Sequence, residues 1–202
     1  NVENMTSGRG PIEKHVKELD KLQIDVMTGG DHIFDNQKSI ADYLDQKDSK
    51  LIRPANYYEQ AHYHIPGKWY KIVEKNGKKI LVVHLMWTAF MNYNVENPFL
   101  KAEKIIAELW ENNFDAIFID FHKETTAEGY GLAHFLDGKV SFVFGTHTHI
   151  QTNDELILPG WTGIISDVGM SGPLLSVIWA DFQSVKKRFL TGIPKWKIEQ
   201  QL

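Results

Sequence analysis

Three short apolar runs in the sequence end in side chains that can bind a metal ion or move a proton. These runs are residues 24–28, 116–119 and 140–144, and each is typical of a buried β-strand. The polar side chains that follow them are Asp31, His32, Asp120, His122, His147 and His149. Ligands of open α/β sheets bind beyond the carboxyl ends of the strands, so we expect these side chains to meet in one crevice.

The pair His147 and His149 has the spacing of two ligands on one side of an extended segment. Taken alone, a His-x-His pair is more often two surface side chains in a loop. A third imidazole, His122, and a carboxylate, Asp31, follow other strand ends and favour a metal site. The chain has no cysteine, so the ligands must be nitrogen and oxygen atoms, a set that suits Mn, Fe or Zn.

Helices that alternate with buried strands must hold these side chains in place. Apolar periodicity predicts helices at residues 11–22, around 40–44, and at 98–112, 126–136 and 183–190. Further strands are predicted at residues 163–166 and 196–199, and Asn76-Gly77 predicts a hairpin between residues 69–74 and 79–85. This alternation is typical of a layered α/β domain.

The composition narrows the class of protein. The 202 residues include 22 Lys and Arg against 26 Asp and Glu, for a formal net charge of −4. This balance argues against a protein that binds nucleic acid or a membrane surface mainly through charge.

No apolar run is long enough to span a membrane and no segment resembles a signal peptide, so a cytoplasmic location is the default expectation. We expect one domain over residues 1–202, and a homo-oligomer stays open.

Several sequence blocks, read in order along the chain, resemble a known family. They are Asn1-Val2-Glu3-Asn4, Gly30-Asp31-His32, Arg53-Pro54-Ala55-Asn56-Tyr57, Asp120-Phe121-His122 with Glu124-Thr125-Thr126, Gly145-Thr146-His147-Thr148-His149, Ser166-Asp167-Val168-Gly169-Met170, and Lys187-Arg188-Phe189-Leu190-Thr191-Gly192. Together they extend over nearly the whole chain and resemble the YmdB-like branch of the calcineurin-like metallophosphoesterases.

The resemblance implies a fold, a four-layered α/β/β/α metallophosphoesterase sandwich. Members of the family begin with a strand that ends in Gly-Asp-Ile-x-Gly, whose Asp binds one of two metal ions. The present sequence starts at Asn1 and does not contain that motif. We therefore expect an N-terminally truncated domain that lacks this strand and its ligand.

The resemblance also implies a reaction and the residues that perform it. The family hydrolyses 2',3'-cyclic nucleotides to 3'-nucleotides with a hydroxide that two metal ions activate. These ions are divalent or mixed-valence, usually iron, with manganese or zinc as alternatives. His32 matches the proton donor of the family. The positions that match its metal ligands are Glu3, Asn4, Asp31, His122, His147 and His149. The implied partner is a small cyclic nucleotide, and we expect no stable binding of nucleic acid.

Two departures from the family pattern keep other functions open. Asp31 stands where the family has Asn, so we expect retained metal binding with an altered rate or metal preference. Residues 84–88, His-Leu-Met-Trp-Thr, replace Asn-Leu-Gln-Gly-Arg near the expected substrate side, and Trp87 either stacks on a base or, as we favour, packs inside the protein. The alternatives are a divergent phosphomonoesterase, a regulatory protein that binds nucleotides without catalysis, and a non-enzymatic fragment.

Other polar residues allow both a structural and a functional interpretation. His62 and His64 form a second His-x-His pair without a carboxylate cluster, so we place them in a solvated loop or at the rim of a pocket. Asp120 and Asp167 either orient a ligand imidazole or make hydrogen bonds at buried strand ends.

Overall fold

The computed structural model describes residues 1–90, 94–109, 112–193 and 197–201. Its strands are β1 Met27–Thr28, β2 Leu51–Ile52, β3 Tyr70–Lys75, β4 Lys78–Met86, β5 Ala116–His122, β6 Phe142–Thr146, β7 Leu156–Ile157 and β8 Gly163–Ile165. Its α-helices are α1 Glu13–Asp20, α2 Gln37–Leu44, α3 Pro98–Leu109, α4 Thr126–Phe135 and α5 Phe182–Thr191, and a 3-10 helix covers Asp31–Phe34. Among the described helices, none is both long and apolar enough to cross a lipid bilayer.

Six strands form one mixed sheet in the order β3-β4-β5-β6-β8-β7. The inner strands β4, β5, β6 and β8 are parallel, and β3 and β7 pair antiparallel at the two edges. Because parallel strands all end at the same edge of a sheet, the residues that follow them lie side by side. The register of β5 and β6 places His122 opposite Thr146, one residue before His147.

A second, smaller unit precedes this sheet in the chain. The strands β1 and β2 form a separate parallel pair and share an apolar cluster with α1 and α2, in which Val16 and Ile40 are fully buried. The main sheet and its helices enclose a larger cluster around residues such as Leu85 and Phe121. Tyr57 packs against both clusters and thereby joins the two units.

The mixed α/β class expected from the sequence is confirmed, and so is the hairpin. The strands β3 and β4 flank Asn76 and Gly77, whose φ angles of 53° and 72° form the left-handed turn that this dipeptide favours. The predicted strand at residues 24–28 is shorter than expected. Pairing with β2 begins only at Met27, because the exposed Asp25 instead pairs with Lys75 at 2.7 Å.

Another predicted strand is wrong, and one predicted helix is found over most of its range. The predicted strand at 196–199 is wrong for residues 197–199, which are irregular because this segment reaches only an isolated bridge between Ala180 and Gln200; residue 196 lies outside the described residues. The helix predicted over 98–112 ends at Leu109 in the described part, and residues 110 and 111 lie outside it. The edge strand β7 is too short to leave a recognisable pattern.

Candidate metal centre

Four of the proposed ligands lie together at the carboxyl ends of the strands. One ligand atom from each of Glu3, Asp31, His122 and His147 lies within 4.8 Å of all the others. The Nε2 atom of His122 is 3.1 Å from Glu3 Oε2, 3.1 Å from Asp31 Oδ1 and 3.2 Å from His147 Nδ1. Two carboxylates and two imidazoles in this arrangement are a suitable donor set for a transition-metal dication.

The electrostatics of these groups also suit a cation. Burial raises the pKa of Glu3 to about 7. Burial also disfavours the charged form of Asp31, but its hydrogen bond with His122 is stronger and lowers the Asp31 pKa. The two carboxylates overcome the burial of His122 and raise its pKa to about 9. In the absence of a metal ion a proton on His122 therefore compensates the buried negative charge, and a cation can take over that role.

The ring of His122 is oriented by a chain of hydrogen bonds behind it. Its Nδ1 lies 2.9 Å from Thr146 Oγ1, which donates to Asp120 Oδ1 at 2.7 Å. Since the hydroxyl hydrogen of Thr146 is used by Asp120, the threonine oxygen accepts from His122 Nδ1, and Nε2 is left to face the two carboxylates. Asp120 thus acts on the ligand imidazole through Thr146.

The position of Asp31 depends on a glycine turn that a buried histidine holds. Gly30 has φ 62° and ψ −163°, a conformation that essentially only glycine adopts. A Cβ atom on Gly30 would lie 2.8 Å from Glu3 Cγ, so the missing side chain also leaves room for Glu3. The Gly30 N–H donates to His84 Nε2 at 3.0 Å, and His84 Nδ1 donates to the Asp120 carbonyl at 3.1 Å. Burial lowers the pKa of His84 to about 4, which keeps this ring neutral.

His147 and His149 lie in a loop with unusual backbone conformations, at φ 115° and 68°. Asp167 fixes this loop by accepting hydrogen bonds from the backbone N–H groups of Thr148 at 3.0 Å and Gly169 at 2.8 Å. Asp167 therefore holds the backbone of the loop through main-chain hydrogen bonds.

The remaining two proposed ligands form a neighbouring pair. Asn4 Nδ2 is 3.0 Å from His149 Nε2, and neither residue belongs to the group of four. Since Asn4 follows Glu3 directly, this pair lies next to the four-residue group. The structure thus shows one compact group and one adjacent pair, where the sequence predicts a centre for two ions.

His32, the proposed proton donor, lies at the edge of the group. Its Nε2 is 3.6 Å from Glu3 Oε1. Asp35 Oδ2 is 2.9 Å from its Nδ1, without the alignment of a hydrogen bond. The side chain is 23% exposed, in contrast to the fully buried His122, so it can meet a ligand that enters from solvent.

The sequence matches one known protein family over nearly its whole length. The profile of the family described as YmdB-like protein matches residues 1–201. The chain belongs to this family. A 2',3'-cyclic-nucleotide 2'-phosphodiesterase of Bacillus subtilis strain 168 is 41% identical over 194 residues, which cover 96% of this chain and 70% of that protein.

Solved structures agree with this assignment. A novel phosphatase from Mycoplasma pneumoniae matches with a TM-score of 0.86 and 32% identity over 98% of this chain and 69% of that one. A 5'-nucleotidase precursor from Thermus thermophilus matches with a TM-score of 0.52 and 16% identity over 75% of this chain and 34% of its own. At that identity the second match shows the fold alone. The expected metallophosphoesterase fold and enzyme class are confirmed by these relatives.

Three other residues can now be placed. Trp87 is 1% exposed, so it packs inside the protein and does not offer a free face to a base. His62 and His64 line a pocket of about 500 Å³ together with Arg53 and Glu59, which agrees with the pocket-rim interpretation.

Sequence reasoning missed the supporting roles of His84 and Thr146. A histidine within the apolar strand β4 is a signal that could have identified His84, because a buried imidazole needs hydrogen-bond partners.

Proposed function

We propose that the chain is a metal-dependent phosphodiesterase that opens 2',3'-cyclic nucleotides to 3'-nucleotides. The observation that carries this proposal is the group of Glu3, Asp31, His122 and His147, whose ligand atoms lie within reach of one cation. The substrate class is supported by the relative from Bacillus subtilis, which is named for that reaction.

In this proposal Glu3, Asp31, His122 and His147 hold one cation, and Asn4 and His149 contribute to a second. When bound, such cations polarise the phosphoryl oxygens and make water a nucleophile at neutral pH. The N/O donor set is compatible with iron, manganese or zinc, and we propose iron on the family resemblance. The six ligands belong to one domain that covers residues 1–202.

His32 is proposed to protonate the sugar oxygen that leaves the phosphorus. Breaking the bond between phosphorus and the 2' oxygen places a developing alkoxide at the departing group, and a nearby imidazolium can donate a proton to it. Carboxylates face both ring nitrogens of His32, with Glu3 Oε1 3.6 Å from Nε2 and Asp35 Oδ2 2.9 Å from Nδ1. Its partial exposure allows the proton to be replaced from solvent.

A divergent phosphomonoesterase is the second candidate. Asp31 adds a negative charge where the family has Asn, and Trp87 with its neighbours replaces a segment that contains Arg. Both changes reduce positive charge near the substrate side and can change which phosphate ester is accepted. A relative in Mycoplasma pneumoniae is named a phosphatase, which keeps this candidate open.

The test combines metal analysis with a choice of substrates. The purified chain is loaded with iron or manganese, its metal content is measured, and turnover is followed with 2',3'-cyclic AMP, bis-p-nitrophenyl phosphate and p-nitrophenyl phosphate. Bound metal with release of 3'-AMP supports the proposal. Bound metal with turnover of only the monoester favours the second candidate. A chain that binds no metal contradicts both.

A further inference from the structure

The two ring nitrogens of His147 face different groups. Its Nδ1 faces the carboxylate group, 3.2 Å from His122 Nε2 and 4.0 Å from Asp31 Oδ1. Its Nε2 faces away from that group and lies 3.1 Å from Glu124 Oε2. The ring is thus held between the candidate metal centre and a carboxylate that no assigned role yet explains.

The backbone of His147 has a strained conformation. Its φ of 115° lies in a region that L-residues rarely adopt. Such conformations persist only where the surroundings impose them. The hydrogen bond from the Thr148 N–H to Asp167 holds the adjacent backbone, and the contacts of the His147 ring add to this constraint.

One of those contacts is a fixed aromatic wall. The indole ring of Trp87 lies 4.5 Å from the His147 ring and 5.4 Å from the His122 ring, measured between centroids. The backbone N–H of Trp87 donates to the His122 carbonyl at 3.0 Å, which ties the indole to β5. Trp87 limits where the His147 ring can move, but an aromatic wall does not select which nitrogen carries the proton.

We propose that Glu124 is the positioning residue that makes His147 a metal ligand through Nδ1. Glu124 Oε2 lies 3.1 Å from Nε2, so its carboxylate favours the proton on Nε2 and leaves the lone pair of Nδ1 for the cation. Metal-bound histidines usually donate their second N–H to such an acceptor, and the loss of the acceptor typically weakens metal binding about 10- to 100-fold. This inference rests on the metal centre proposed above.

Because of its location, Glu124 can be replaced to test its positioning role without unfolding the protein. Its side chain is 51% exposed and lies between β5 and α4, outside both apolar clusters. A partly exposed ion pair contributes little to the stability of the fold. A large loss of metal affinity on removal of Glu124 would therefore report positioning of His147 and not a loss of fold.

The test measures binding of Mn²⁺ alone to the full chain, by the disappearance of the free Mn²⁺ signal in electron paramagnetic resonance. Glu124→Ala is expected to bind about 10- to 100-fold more weakly than the unsubstituted chain. Glu124→Gln should recover most of the affinity, since its amide oxygen still accepts from Nε2–H. The control is Glu103→Ala on the exposed side of α3, which should bind as the unsubstituted chain does. Thermal unfolding midpoints should agree among all four proteins.

The outcomes separate this inference from the function on which it rests. If the unsubstituted chain binds Mn²⁺ and Glu124→Ala binds it equally well, Glu124 has no positioning role, while the metal centre stands. If Glu124→Gln is as weak as Glu124→Ala, the charge and not the hydrogen bond matters, and the positioning role is overturned. If the unsubstituted chain binds no Mn²⁺, the metal centre and this inference fail together.

Discussion

Single residues at the edge of the sheet differ in burial and in the groups that they contact. His147 contributes its Nδ1 to the group of four candidate ligand atoms, whereas His32 lies outside that group and is partly open to solvent. The roles proposed for the two imidazoles are therefore separable, and substitution of each should affect different quantities.

The first prediction compares His147→Ala with His32→Ala. The first variant should lose bound metal and phosphodiesterase activity together, because one of four close ligand atoms is removed. The second should keep its metal and lose about 10²- to 10⁴-fold in turnover, the usual contribution of a general acid. Metal content and turnover of bis-p-nitrophenyl phosphate provide the two measurements. Equal loss of metal in both variants would contradict the role given to His32.

Asp31 is one of the two departures from the family pattern noted in the sequence, and its replacement by Asn is the second prediction. Asp31 Oδ1 lies 3.1 Å from His122 Nε2, so Asn at this position removes a negative charge next to a ligand. We expect Asp31→Asn to bind metal while its rate, metal preference or pH profile changes, because less negative charge leaves the cation a stronger Lewis acid. The prediction fails if metal content, rate and pH profile all stay as they were.

At the scale of elements, the turn between β1 and the 3-10 helix brings Asp31 to the site. The Glu3 side chain packs against Gly30, which has a conformation reserved for glycine. The Gly30 N–H donates a hydrogen bond to His84 in β4. The turn thus connects a strand of the small unit to a strand of the main sheet. A side chain at position 30 would disturb both the backbone and the neighbouring carboxylate.

The third prediction is that Gly30→Ala loses metal binding, whereas the control Gly77→Ala keeps it. Both glycines have positive φ, 62° and 72°, so alanine is strained at either position, and more strongly at Gly30, whose ψ of −163° places it in a region that essentially only glycine adopts. Only at Gly30 would the new Cβ also meet Glu3, at 2.8 Å, while at Gly77 nothing lies within 4 Å. Denaturant unfolding and Mn²⁺ titration measure the two effects. Equal Mn²⁺ affinity in both variants would show that Glu3 can move without consequence.

At the scale of the whole molecule, the site lies where the two units meet. Glu3 and Asp31 come from the small unit, and His122 and His147 come from the end of the main sheet. His84 crosses this boundary, since it is fully buried in β4 and bonded to Gly30 on one side and to Asp120 on the other. A proton on His84 would place a second positive charge in this interior.

The fourth prediction concerns stability against pH in the metal-free chain. The pKa of His84 is about 4 in the fold against an ordinary value of 6.5, so between these values the unfolded chain takes up a proton that the folded chain does not. Stability should therefore fall as the pH drops from 6.5 to 4, by about 3 kcal/mol for this group. His84→Gln, whose amide can still accept from Gly30, should flatten that dependence. Urea unfolding at several pH values tests this, and a constant difference between the two proteins would contradict it.

The sequence by itself determined which candidate ligand residues the chain contains and the order in which its helices, strands and motifs occur. Residue types are local information, so the absence of cysteine, the histidines after β5 and β6, the Asn76-Gly77 turn and the family blocks could all be recognised without coordinates. Strong apolar periodicity likewise gave the helices and the inner strands, because long elements with a buried face leave a regular pattern. The two-residue edge strand β7 left none.

Only the tertiary structure decided which of these residues share a site. Asp31 and His122 are 91 positions apart, and their 3.1 Å contact exists because two separately clustered units pack against each other. The same packing gave His84 a hydrogen-bonding role between Gly30 and Asp120, placed Glu124 on the far nitrogen of His147, and grouped His149 with Asn4. Distances across a core depend on how side chains fill it, and no local pattern in the chain encodes them.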